Sequence, residues 1–237
     1  METVVKKQGN SQLLAGIQGG ASIAIGYFPI AMTFGLLAKT TGLSGFETMM
    51  MSILVFAGAS QFMSLNMMAL AATGIEIVLA TFVVNIRHLL MSASLNEKID
   101  KAPHWQKAFL SFGITDETFT VMSTKEGKMS SAYGFGVILI SYGSWVICSG
   151  IGYGVGSYLP QVLQESMAIA LYAMFVGLLV PSMKRSVKVF FLAGVGGVLN
   201  SVFVLANIST GWAILFATVL SVVCVELVDL MKQKGEE

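Results

Sequence analysis

The feature that most constrains this chain is a group of polar side chains inside a long apolar run. Residues 75–95 are almost wholly apolar, yet they include Asn85, Arg87 and His88 within one helical turn. A helix over this run would be about 31 Å long and would place Arg87 roughly 18 Å from its start, near the middle of a bilayer core. An arginine at that depth costs about 2.5–3.5 kcal/mol on insertion scales, so we expect a partner or a ligand for it.

The composition places the rest of the chain in a membrane as well. Of the 237 residues, 55% are hydrophobic and 11% are charged, whereas soluble domains carry about 25% charged residues. The apolar runs predict an all-α polytopic protein of the lipid bilayer with about eight (six to eight) transmembrane helices. The expected organisation is a cytoplasmic N-terminal segment at 1–12, a single membrane permease domain at 13–231 and a cytoplasmic tail at 232–237.

The distribution of lysine and arginine predicts the orientation. With eight spans and a cytoplasmic N-terminus, nine such residues in the loops and tails fall inside and four fall outside, which the positive-inside rule favours. The nine are Lys6, Lys7, Lys125, Lys128, Lys184, Arg185, Lys188, Lys232 and Lys234, and the four are Lys39, Lys98, Lys101 and Lys107. This scheme puts both termini in the cytoplasm and the connection at 96–103 outside. A split or re-entrant first or second segment would leave six or seven spans.

The first two apolar segments contain residues that interrupt helices or allow close packing. Residues 13–37 include Gly26 and Pro29, and proline removes an amide donor, so we expect either an ordinary kink or a broken helix whose end faces a substrate. Residues 45–73 include Gly58, Ser60 and Gln61. The glycine suits helix packing, whereas the two polar side chains favour a cavity lining.

The fourth segment contains acidic residues that can form an ion pair with Arg87. Asp116 and Glu117 are adjacent in an otherwise apolar stretch. If this segment runs antiparallel to residues 75–95, Asp116 reaches the depth of Arg87, and an ion pair is predicted. Adjacent acids point in different directions on a helix, so one of them is left free to titrate. On the third segment, Asn85 and His88 share one helical stripe, which indicates a surface facing water or the bundle interior.

The fifth segment is rich in glycine. Gly150, Gly152, Gly154 and Gly156 form overlapping small-x-x-x-small pairs, which predict close contact with another helix.

A short internal similarity links residues 80–83 (ATFV) with residues 173–176 (AMFV). Both stretches belong to the third helix of a predicted set of three. Two consecutive sets of three spans have opposite orientations, so the sequence permits the inverted repeat that is typical of secondary transporters.

Enzyme and nucleic-acid functions are not expected. The chain has two histidines and lacks His-Glu-x-x-His and Gly-x-Ser-x-Gly motifs, so no catalytic or metal residues are assigned. It also lacks a Walker-type loop, which excludes ATP hydrolysis by this chain, and no cofactor is expected. The net charge of +1 without a basic tract argues against a nucleic-acid partner.

Four motifs occur in an order and spacing that resemble a known family. They are GYFPIAMTFG (26–35), FAGASQF (56–62), NIRHLLMSASL (85–95) and GITDETF (113–119). Together they resemble the AzlC-type large subunit of two-component branched-chain amino acid exporters. The resemblance implies a bacterial inner-membrane permease that exports branched-chain and other hydrophobic amino acids or their analogues. It also implies a small hydrophobic AzlD-type partner subunit.

The polar residues suit a zwitterionic substrate. Arg87, or a broken-helix end near Pro29, would bind the carboxylate, and Asp116 or Glu117 the ammonium group. The alternative is a fixed structural ion pair between Arg87 and Asp116. The predicted binding and translocation residues are Gly26, Pro29, Gly58, Ser60, Gln61, Asn85, Arg87, His88, Asp116 and Glu117. Proton coupling through Asp116, Glu117 or His88 would supply energy. The alternative function is a channel or a permease for other small solutes.

Overall fold

The computed structural model describes residues 2–100 and 102–235, which form ten α-helices and one short 3-10 helix. The helices are α1 (Glu2–Thr40), α2 (Gly45–Leu54), α3 (Gly58–Ala69), α4 (Gly74–Lys98), α5 (His104–Phe112), α6 (Asp116–Thr124), α7 (Ser131–Val155), α8 (Gln161–Arg185), α9 (Val187–Leu205) and α10 (Thr210–Gly235), with the 3-10 turn at Gly156–Tyr158. No β-strand occurs in these described ranges, so the all-α class is confirmed.

Five helical stretches in the described residues are long and apolar enough to cross a membrane. They are Ser11–Thr40, Gly74–Lys98, Ser131–Tyr158, Val187–Leu205 and Gly211–Met231. The polytopic membrane class is therefore confirmed. The predicted second and fourth segments are each a pair of short helices, α2 with α3 and α5 with α6.

The chain forms two compact units. The first contains residues up to 62 together with 85–168, and the second contains 63–84 together with the residues from 169 onward. All ten residues predicted for the site belong to the first unit. The side chains at 174 and 175, which the repeat prediction needs, lie outside the described part of the chain, so the inverted repeat stays a prediction.

Helices α1 and α7 run parallel and touch through glycines in the first unit. A Cβ atom at Gly16 would lie 2.1 Å from the Tyr133 carbonyl oxygen, and one at Gly35 would lie 2.0 Å from that of Ser149. From the other side, a Cβ at Gly152 would lie 2.1 Å from the Met32 carbonyl oxygen. Backbones this close require glycine. Of the predicted glycine series, Gly152 and Gly156 contact α1, whereas Gly154 has no neighbour within 4 Å.

Helix α1 continues through Pro29, so of the two expected alternatives the broken helix is wrong. The missing amide removes one backbone hydrogen bond, and packing against α7 on both sides of the proline holds the helix together. The Ser144 hydroxyl of α7 donates to the Ala24 carbonyl, 2.8 Å away, one turn before the proline. The chain is instead broken at residues 55–57 and 113–115, where no proline occurs.

The connections before α5 and after α6 lie on the same side of the first unit. The Asp100 amide donates to the Met129 carbonyl and the Met129 amide donates to the Lys98 carbonyl, each at 2.9 Å. Ile99 and Met129 also form an isolated β-bridge. The eight-span scheme puts these connections on opposite sides, and that placement is wrong.

The α5–α6 pair is therefore a re-entrant hairpin. Leu110 of α5 and Met122 of α6 both lie against Gly134 near the start of α7, while Gly113 at the hairpin tip contacts Ile138 one turn further along. Each helix has nine residues. A nine-residue helix is about 14 Å long, half the thickness of the hydrocarbon core, so the tip reaches the middle of the membrane.

The α2–α3 pair also turns back on itself. The Gln61 side-chain amide donates to the carbonyls of Met51 and Val55 at 2.9 Å and 2.7 Å, so the first turn of α3 lies beside the last turn of α2. Because α4 ends where α1 and α7 begin, the stretch of α4 from Asn85 to Lys98 runs antiparallel to both. A crossing α2–α3 segment would have made this stretch of α4 parallel to α1, so in the first unit α2 and the first turn of α3 form the tip of a second hairpin.

We expect cysteine labelling to place residues 100 and 126 on one side of the membrane. The experiment uses a Cys224→Ser background, in which the remaining Cys148 is buried. In intact cells, a membrane-impermeant maleimide should label Asp100→Cys and Glu126→Cys to the same extent. Thr40→Cys, which lies after α1 has crossed, should show the opposite accessibility in the same intact cells. If Asp100→Cys behaves like Thr40→Cys and unlike Glu126→Cys, the re-entrant hairpin is refuted.

Candidate functional site

The tips of the two hairpins meet around one tyrosine of α1. The Tyr27 ring packs edge-on against Phe56, in the break between α2 and α3, with ring centroids 6.1 Å apart. Its hydroxyl lies 2.8 Å from the Thr115 hydroxyl and donates to a Glu117 carboxylate oxygen 2.7 Å away. Trp145 of α7 covers another part of the ring, at 5.1 Å between centroids. Tyr27 is buried and contacts both hairpin tips.

Local sequence explains why the second tip presents two acids. Thr115 is the N-cap of α6, and it exchanges reciprocal hydrogen bonds with Thr118 between each hydroxyl and the other residue's amide, at 2.8 Å and 3.2 Å. Asp116 and Glu117 follow as the first two helical residues. The helix dipole favours negative charge at this end. The break thus holds two carboxylates at the end of a half-length helix.

The predicted ion pair between Arg87 and Asp116 is confirmed. The Nη2 atom of Arg87 lies 2.9 Å from Oδ2 of Asp116, with side-chain exposures of 41% and 24%. The Nε atom of Arg87 is buried and has no hydrogen-bond partner among the described residues. A guanidinium has five N–H donors, so this pair leaves donors for a second anion.

The other polar residues of α4 lie around this pair. The Ser60 hydroxyl of α3 donates to Oδ1 of Asn85 at 2.6 Å, which ties the first hairpin tip to α4 two residues before Arg87. His88 is half-buried and lies close enough to Arg87 and Glu117 for both charges to act on it. The structure therefore groups Asn85, Arg87 and His88 with both acids.

The predicted lining residue Gln61 has a packing role instead, and Gly58 has the packing role expected of it. The side chain of Gln61 is fully buried, and besides its bonds to the carbonyls of Met51 and Val55 it accepts a hydrogen bond from Trp145 Nε1 at 2.9 Å. This use of the amide contradicts a cavity-lining role. At Gly58, an added Cβ would lie 2.7 Å from the Trp145 ring, so the glycine makes room for that indole.

Gly26 and Pro29 are not joined to the polar cluster. An added Cβ at Gly26 would meet nothing within 4 Å, and Pro29 is half-buried inside α1. In the described part of the chain, no side-chain hydrogen bond connects either residue to Arg87 or the acids.

Sequence reasoning missed Tyr27 and Thr115. Both lie inside motifs that carry the family resemblance, next to the predicted site residues Gly26 and Asp116. The available signal was chemical, because a tyrosine in an apolar span needs a partner for its hydroxyl. That signal shows that the tyrosine hydroxyl needs a hydrogen-bond partner, but it does not identify the partner.

Comparison with known proteins identifies the family. A family model described as AzlC protein matches residues 22–159, which is more than half of the chain and includes the whole polar cluster. The chain belongs to the AzlC family. No solved structure matches it.

Relatives of this AzlC-family chain occur in bacteria and archaea. Inner membrane protein YgaZ of Escherichia coli (strain K12) is 30% identical over 202 residues, 82% of this chain and 82% of that protein. An uncharacterized membrane protein of Archaeoglobus fulgidus is 32% identical over 192 residues, 79% and 83% of the two lengths. The branched-chain amino acid transport protein AzlC of Bacillus subtilis (strain 168) is 27% identical over 178 residues, 73% and 69% of the two lengths. The chain is thus a membrane transport protein of this family.

Proposed function

We propose that this AzlC-family protein exports branched-chain or other hydrophobic amino acids, and their analogues, across the bacterial inner membrane. The name of the Bacillus subtilis relative supports the substrate class. The observation that carries the proposal is the Arg87–Asp116 pair at the meeting of two hairpin tips, because a zwitterion needs a cation and an anion side by side.

These contacts support an assignment of each part of the substrate to a group. The carboxylate binds to Arg87 through donors that the ion pair leaves open, including the buried Nε atom. The ammonium group binds to Asp116 or Glu117. Aromatic rings next to the tips form the apolar wall for the substrate side chain. Tyr142 packs edge-on against Phe56 and Phe112, with centroids 5.3 Å and 5.9 Å apart.

The charge distribution of the first unit supports a cytoplasmic N-terminus. Lys98, Lys107, Lys125 and Lys128 lie in the connections and helix ends on the side where α1 and α7 begin, whereas Lys39 lies where α1 ends. Four lysines against one favour a cytoplasmic location for the side of the first unit that carries the N-terminus. The same-side placement of 96–103 and 125–130 makes this bias stronger than the eight-span scheme did.

A small AzlD-type subunit is the proposed partner. The family resemblance supports it, and helix α9 supplies a surface for a membrane partner, since none of its described residues is buried. Energy comes from the proton gradient, with Asp116, Glu117 and His88 as the titratable groups at the site.

Transport by the purified protein in liposomes tests the proposal. Vesicles containing the protein, with and without the small subunit, are preloaded with labelled isoleucine, and efflux is followed with and without an imposed proton gradient. We expect saturable efflux, acceleration by the gradient and exchange of labelled for unlabelled isoleucine, with labelled glutamate retained as the control. Electrical conductance without exchange would identify a channel and overturn the proposal.

A further inference from the structure

We propose that Glu117 carries the coupling proton and that Tyr27 is the positioning residue through which its protonation reaches both hairpin tips. This inference rests on the proposed function, and it names the single acid among three titratable candidates that does the coupling.

The two adjacent acids have different partners. Asp116 is paired with Arg87, so protonating it would leave a guanidinium unpaired at membrane depth. Glu117 forms no ion pair within the described residues and accepts its hydrogen bond from the neutral Tyr27 hydroxyl. Gaining or losing a proton at Glu117 therefore breaks no charge pair. Asp116 with Arg87 serves the zwitterionic substrate, while Glu117 is left for the proton.

Three helices contribute titratable or charged groups to the surroundings of Glu117. Helix α1 contributes Tyr27, helix α4 contributes His88 and the paired Arg87, and α6 itself contributes Asp116. The charges of Arg87 and Asp116 offset each other at 2.9 Å. Among these groups, His88 is then the remaining one that can hold a positive charge.

The hydroxyl chain gives protonation a structural consequence. When Glu117 is ionised it only accepts, so the single Tyr27 proton points to it and Thr115 donates to the Tyr27 oxygen. When Glu117 takes a proton from water outside the cell, its own O–H can donate to Tyr27, and Tyr27 then donates to Thr115. The direction of both hydrogen bonds reverses, and releasing the proton to cytoplasmic water restores it.

This reversal acts on both hairpins. With Tyr27 donating, the Thr115 oxygen accepts from both Tyr27 and the Thr118 amide, and the Thr115 proton turns from Tyr27 towards the Thr118 hydroxyl, so the hydrogen bonds around the N-cap at the α5–α6 tip change. At the α2–α3 tip, the Tyr27 ring contacts Phe56. Each hairpin enters from a different side of the first unit, so one protonation event acts on a tip from each side.

The test uses full-length protein in liposomes and two readouts. Glu117→Gln is expected to lose all acceleration of efflux by a proton gradient and all pH dependence of efflux, with isoleucine exchange measured in parallel as the readout of substrate binding. Glu117→Asp keeps a titratable group and should retain acceleration. Tyr27→Phe should keep exchange and weaken acceleration, with the pH profile of efflux displaced. Glu126→Gln, in the exposed connection after α6, is the matched control and should behave like wild type.

The outcomes separate the two proposals. If wild-type vesicles show no isoleucine exchange, the proposed function fails. If the gradient accelerates isoleucine efflux equally in wild type and in Glu117→Gln, the assignment of Glu117 is refuted while the proposed function stands. If Tyr27→Phe matches wild type in both readouts, the positioning role is refuted. Should Glu117→Gln give no monodisperse protein, the pH profile of Glu117→Asp decides, since an unchanged profile would exclude Glu117 as the titrating group.

Discussion

Replacing Gly152 by valine is expected to abolish accumulation of folded protein. A Cβ at this position would lie 2.1 Å from the Met32 carbonyl oxygen and 2.6 Å from two further backbone atoms of the same residue. Overpacking a core usually costs about 1–3 kcal/mol through side-chain shifts. Here the obstacle is backbone, so α1 and α7 must separate along their whole parallel contact, and the cost exceeds that range.

A glycine two residues away provides the matched control. Gly154 lies on the same helix, and an added Cβ there meets nothing within 4 Å. Gly154→Val should accumulate nearly as wild type does, so the pair separates loss of the helix contact from a general effect of valine in α7. Size-exclusion profiles of fluorescent fusions and thermal stability in detergent measure both variants. Equal yields of the two variants would show that the close contact of α1 and α7 is not required.

The fold class was predictable because composition alone excludes a soluble protein, but the number of crossings was not. A segment that enters the membrane and returns is as apolar as one that crosses it. Residues 45–73 and 104–124 therefore look like single spans. The fact that distinguishes them is long-range, since the pairing of residues 98–100 with Met129 joins two connections that sequence order places apart.

Helix breaks were misplaced for a related physical reason. Pro29 is a strong local signal, yet contacts with α7 on both sides of it outweigh one lost hydrogen bond. At the break at 55–57, Gln61 bonds the Val55 carbonyl and the distant Tyr142 bonds the Ile53 carbonyl of α2. The break at 113–115 did have a readable signature, the reciprocal capping of Thr115 and Thr118.

The Arg87–Asp116 pair was predicted correctly from a depth argument whose topology was wrong. In the predicted topology the fourth segment crosses the membrane. Asp116 reaches the middle of the membrane in either case, because it lies halfway along a crossing segment and at the tip of a re-entrant one. The membrane depth of Asp116 was thus predictable. The role of Gln61 was not, because it depends on Trp145, 84 residues away.

Replacing Arg87 alone by methionine is expected to lower both folded yield and export severely. The variant leaves the Asp116 carboxylate without its cation at membrane depth. Removing one partner of a fully buried pair costs about 3–5 kcal/mol. With Arg87 at 41% and Asp116 at 24% exposure, we expect a smaller loss in folded stability than that. The double variant Arg87→Met with Asp116→Leu removes both charges and should recover folded protein.

Export by the double variant decides what the pair is for. If Arg87 and Asp116 bind the zwitterion, the recovered protein should not export preloaded isoleucine; retained export would make the pair purely structural. The pair of Lys188 with Glu226, 2.7 Å apart in the second unit, is the matched control because its lysine is 39% exposed. Lys188 also pairs with Asp229 at 3.2 Å, so the control removes all three charges. Lys188→Met with Glu226→Leu and Asp229→Leu should leave export intact. Loss of export in both this control and the Arg87 double variant would mean that removing any membrane ion pair is damaging, and the site assignment would lose its support.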